Sequence, residues 1–89
     1  MAQSFIKDPD AVLDYQIDWS DLLGDDTITS SEWVASDGIT IDSNSFADTA
    51  ATVWLSGGTV GQDYAVTNHI TTDGGREDDR TITIMVRQK

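Results

Sequence analysis

Alternation with a period of two begins near residue 13, where Leu13, Tyr15, Ile17 and Trp19 share one side and Asp14, Gln16 and Asp18 the other. That pattern predicts a half-buried strand. Residues 20–26 break it, with an N-cap-like Ser20 and a stop at Gly24, which leaves room for one helical turn or a tight loop. A second strand is predicted over residues 27–35. Ile28 and Trp33 lie an odd number of positions apart, so a bulge near Ser30 and Ser31 is expected to bring both to one face. After the turn signal Asp37-Gly38, Ile39 and Ile41 mark a short strand, and residues 43–48 read as a loop with Phe46 as a plug. Residues 51–55 form the next strand, with Val53 and Leu55 inward and Trp54 outward. Tyr64, Val66, Asn68 and Ile70 alternate along a long strand closing at Asp73-Gly74-Gly75, and Ile82, Ile84 and Val86 define the last. The pairs Gly57-Gly58 and Gly74-Gly75 are expected as hairpin turns.

Six or seven short strands rich in Thr, Val and Ile, without any segment of helical period, predict an all-β fold. The expected form is a small antiparallel β-sandwich, immunoglobulin-like or fibronectin III-like. Residues 61–66 suit the entry to the sixth strand of such domains, where a Tyr, here Tyr64, bonds back to the preceding loop; Val66 stands where antibody domains carry a cysteine. A chain of 89 residues has room for one core. Residues 1–10 read as an N-terminal arm that orders only against a neighbour, its apolar Phe5 and Ile6 offered to a partner, and residues 11–89 as a single domain.

Charge narrows the partners. The chain carries 5 Lys and Arg against 16 Asp and Glu, a net charge of -11 that repels phosphate backbones and anionic lipid headgroups, so neither nucleic acid nor a membrane is an expected partner. Residues 1–48 hold eleven of the sixteen acids against Lys7 alone, which either solvates that half or steers it toward a basic partner. The first residues lack the apolar core of a secretory signal and no stretch approaches the roughly 20 apolar residues of a membrane span, so a soluble, cytosolic product is expected.

Chemistry is sparse. The single histidine, His69, falls on the face opposite Tyr64, Val66 and Ile70, and no Gly-x-Ser-x-Gly elbow accompanies it, so it reads as an exposed strand residue and not a catalytic one. Acidic residues 8–10 and 73–79 lack the ligand spacing of a calcium loop, and Arg76 and Arg80 supply counter-charge in the second. No enzyme activity, metal or cofactor is expected. Trp19 and Trp33 read as core. Trp54, on the outer side of its strand, either fits under a loop or anchors a partner.

The run Lys7-Asp8-Pro9-Asp10-Ala11-Val12-Leu13-Asp14-Tyr15-Gln16-Ile17-Asp18-Trp19-Ser20-Asp21-Leu22-Leu23 resembles the opening of small tailed-bacteriophage proteins called fibre-tail adaptors. Residues 51–58, Ala-Thr-Val-Trp-Leu-Ser-Gly-Gly, and residues 67–72 through Arg76 to Arg80 are similar to the same family. The chain departs from that pattern at Leu22-Leu23, where a Trp is frequent, and at His69, where Arg is common. The resemblance implies a non-enzymatic structural protein of a phage or prophage virion, a connector in the tail or neck that contacts tail tube, neck or fibre proteins, with a homo-oligomeric ring among the arrangements open to it. The alternative is an immunoglobulin-like module recognising carbohydrate or a cell-surface ligand, with Trp54 as its platform.

Overall fold

The computed structural model describes residues 3–88. Within them the elements follow as β1 (Gln3–Lys7), β2 (Leu13–Asp18), α1 (Ser20–Leu23), β3 (Ile28–Ala35), β4 (Ile39–Phe46), β5 (Ala50–Gly57), β6 (Asp63–Thr72) and β7 (Glu77–Val86). One sheet has the order β1-β7-β6-β3 and the other β2-β5-β4. The alternating apolar positions join them: Ile17, Val53 and Leu55 of the smaller sheet and Val66, Ile70 and Ile84 of the larger belong to one buried cluster. This is the predicted all-β, two-sheet body.

β1 corrects the expectation of an arm and of a wholly antiparallel fold. Its residues pair in parallel with β7, from Gln3 opposite Ile82 to Lys7 opposite Val86, so they order against their own domain. Residues 1 and 2 of that arm lie outside the described residues. The cause is again a period of two, in which Phe5 and Lys7 turn inward and Ile6 outward. Phe5 packs its ring 5.0 Å from that of Tyr15. Lys7 is fully buried, and its ammonium donates to the carbonyls of Asp8 and Gly57, each at 2.9 Å, the second reaching across to the other sheet. Burial holds the pKa of that ammonium below its ordinary value, against the pull of Asp8, Asp10 and Asp42.

Three further differences have local causes. The bulge in β3 falls at Thr29, between Ile28 and Ser30, slightly before the expected place. It still leaves Ile28 buried and Trp33 half-buried against the core. The expected loop at residues 43–48 is strand as far as Phe46, after a second bulge at Asp42, and Phe46 is exposed and plugs nothing. β4 is an edge strand held by backbone pairing to β5, so it needs no apolar alternation to form. Gly57-Gly58 is no hairpin, because β5 and β6 lie in different sheets. It opens a crossover in which Gly58 has φ +94 and a Cβ would come within 2.6 Å of Val86, so only glycine fits there without strain. Tyr64 pins this crossover, its hydroxyl accepting from the Thr59 N–H at 2.8 Å.

The body is closed at one end by Trp19, which is completely buried. Its indole N–H donates to Asn68 Oδ1 at 2.9 Å. The Asn68 amide then donates to Ser31 Oγ at 2.8 Å and to the Glu32 carbonyl at 3.0 Å. Above the ring, 4.2 Å from its centroid, lies the guanidinium of Arg80. That group donates to both carboxylate oxygens of Asp21, at 2.9 and 2.8 Å, and to the Asp18 carbonyl at 3.0 Å. Asn68→Ala strands the Trp19 N–H in a dry interior and opens a gap beside it. It is expected to destabilise the fold by about 2–4 kcal/mol. Urea unfolding checks this, and a loss below about 0.5 kcal/mol would contradict the role given to Asn68.

Candidate functional site

Pleating decides which side chains the smaller sheet shows to solvent. On its central strand β5, Thr52, Trp54 and Ser56 point away from the core, between the inward Ala51, Val53 and Leu55. The register places Asp14 of β2 and Ser43 of β4 on either side of Trp54, and Gln16 and Ser45 on either side of Thr52. Side chains directly opposed in an antiparallel pair have Cβ atoms about 4.5–5.5 Å apart, so Asp14 and Ser43 border the indole. The bulge at Asp42 brings a carboxylate to the same face, where it accepts from Ser56 Oγ at 2.8 Å. Trp54 remains 41% exposed, without a loop laid over it.

The electrostatics of this face are one-sided. Its three strands contain no Lys, Arg or His. The described cations are all engaged elsewhere: Lys7 in the core, Arg76 on the Leu22 carbonyl at 2.7 Å, Arg80 on Asp21 and Arg87 on Asp63 at 3.0 Å. Among the described residues Asp14 has neither an ion-pair nor a hydrogen-bond partner for its carboxylate. The arrangement is an aromatic plane beside an uncompensated negative charge.

Residues 7–85 match the protein family described as Podophage GP4 fiber-tail adaptor protein gp77. The chain belongs to this family. No curated protein matches it. The matched span runs from the buried end of β1 through nearly all of β7, so it takes in both sheets, the Trp19 cluster and Trp54. It also takes in the motifs at residues 7–23, 51–58 and 67–80 on which the resemblance to fibre-tail adaptors rested.

The other candidates in this adaptor-family chain are distributed differently from Trp54. Phe5 is turned into the core against Tyr15, which corrects its reading as a free partner contact. Ile6 is 52% exposed opposite Met85, on the outer face of the larger sheet. The two layers therefore hold Ile6 and Trp54 on opposite sides of the molecule, and they do not form one site. Among the described residues, no three of His, Asp and Glu gather in an arrangement that could hold a metal ion.

His69 lies, as its alternation predicts, on the outer face of the larger sheet, but it is clamped there. Nδ1 contacts Asp79, its direct cross-strand partner, and Nε2 contacts Glu77 at 3.1 Å. With both ring nitrogens facing carboxylates, the imidazolium is the favoured form, and the pKa of His69 is raised above its ordinary 6.5, by Asp79 first and Glu77 second. Asn68 and Arg80, like Lys7, are polar residues whose structural work alternation alone left unassigned; the one signal was a polar side chain at the inward position 68. Because the folded pKa of His69 exceeds the unfolded one, its contribution to stability is fully present below the unfolded pKa and is lost as pH rises through the folded value. Wild type is therefore expected to melt above His69→Gln at about pH 5.5, with the difference gone by about pH 8.5. A difference that grows toward alkaline pH would contradict the clamp.

Proposed function

We propose that this fibre-tail adaptor family member is a non-enzymatic connector of a phage or prophage virion, seated in the tail or neck and holding to other virion proteins. The observation that carries the reading is Trp54, a large aromatic left open at the centre of a sheet face in a chain whose other two tryptophans pack in or against the core. Exposed aromatics surrounded by polar groups are the usual anchors of protein interfaces. Family membership supplies the setting, since the matched family is named for fibre-tail adaptors.

The immunoglobulin-like form of the sandwich belongs to the same proposal. The parallel pairing of β1 with β7 and the bond from Tyr64 back to the preceding crossover support it. A second reading has an observation of its own: Asp14, Gln16 and Ser43 around an open indole also suit the stacking and hydroxyl recognition of a sugar ring.

Deleting the gene from the phage is expected to yield particles that lack attached fibres and do not infect, with both properties restored by the wild-type chain. Trp54→Ala is expected to lower incorporation into particles about thirtyfold, the loss of an anchor worth about 2 kcal/mol, while changing folding stability by less than about 1 kcal/mol. Fully fibred, infective particles from the deletion would overturn the connector reading. Normal assembly of Trp54→Ala together with lost retention on cell-surface glycans would favour the sugar reading.

A further inference from the structure

We infer that the Trp54 face receives an arginine side chain of a neighbouring virion protein, the guanidinium stacked on the indole and paired with Asp14. The inference rests on the connector reading and names what this face recognises.

Charge complementarity supplies the first argument. Trp54 is exposed beside Asp14, the three strands of its sheet contain no basic residue, and every described cation of the chain is committed to another partner. Asp42 shares its carboxylate with Ser56, whereas Asp14 has no partner among the described residues. An incoming cation thus meets a carboxylate and the negative face of an indole together, and neither must first be released from an internal contact. The face disfavours phosphate, sulfate and acidic peptides by the same charge.

Geometry selects arginine over lysine. A planar guanidinium lies flat on an aromatic ring while its edge forks to a carboxylate, which a compact ammonium does not reproduce. The chain contains a related arrangement: Arg80 rests 4.2 Å above Trp19 while its Nη2 donates to both oxygens of Asp21 and its Nη1 to the Asp18 carbonyl. At Trp54 the indole and the acid are present, the acid supplied by the adjacent strand, and the guanidinium must come from another chain.

The test uses tails purified from particles that lack this protein and the full recombinant chain, with attachment measured by sedimentation. Blocking tail arginines with phenylglyoxal is expected to weaken attachment at least tenfold, and acetylating tail lysines less than about twofold. Trp54→Ala should weaken it about thirtyfold and Asp14→Asn about tenfold, Asp14→Glu should retain it within about threefold, and Asp14→Asn should show the shallower dependence on salt. Attachment that depends on Trp54 but ignores both Asp14→Asn and arginine blocking would overturn the inference in favour of an apolar or sugar contact. If the wild-type chain does not attach to tails at all, the connector reading itself fails. If the wild-type chain attaches and every variant attaches as it does, the arginine inference is lost together with the role of Trp54 as anchor, and the connector reading is decided by the deletion alone.

Discussion

The fully buried Trp19 donates its indole N–H to Asn68, on a strand of the larger sheet. That bond fixes how the two layers meet. Asn68 spends its amide on Ser31 and Glu32 of the neighbouring β3, and Arg80 of β7 covers the ring while gripping Asp21 of α1. Elements from both sheets and the short helix are thereby tied to a single side chain at one end of the molecule. Around it the core is apolar, aliphatic side chains joined by Tyr15 and Tyr64, and the polar cluster adds directional bonds that fix the register of the layers. At the other end Lys7 performs a similar task, joining β1 to the carbonyl of Gly57 across the layers.

This distribution of cations has a consequence for the surface. A chain with 5 Lys and Arg against 16 Asp and Glu has few positive charges to spend, and the described ones are spent on closing the fold. The smaller sheet is left with carboxylates and hydroxyls around Trp54. Its edge strand β4 is polar and bulged at Asp42, a combination that discourages open-ended pairing of sheets between copies. The middle of that edge is thus guarded against strand pairing while the adjoining face offers the exposed Trp54. Such a division suits a protein that takes a defined place in an assembly.

The half-buried strands were legible because one face of each is dry: β2, β5, β6 and β7 follow their alternation, and the outward positions of Trp54 on β5 and His69 on β6 follow with them. β4 was legible only at Ile39 and Ile41, since an edge strand is held by its neighbour's backbone and its side chains carry little pattern. β1 was hidden by Lys7, whose charge reads as surface; its burial depends on a carbonyl 50 residues away. The same distance effect concealed the surroundings of the candidate site. Alternation put Trp54 outside, but only the register of β2 on β5 sets Asp14 beside it, and only the turn between β6 and β7 brings Asp79 and Glu77 to His69. Trp19 was identifiable as core from its strand, whereas its acceptor, 49 residues on, was not.

The account divides the tryptophans between holding the body together and holding a partner. Hydroxyl-radical footprinting read by mass spectrometry, on the free chain and on the chain attached to tails, measures that division most directly. Trp19 should resist oxidation in both states, and Trp54 should oxidise readily in the free chain and become protected on attachment. Trp54 already protected in the free chain, or equally oxidised in both states, would contradict the account.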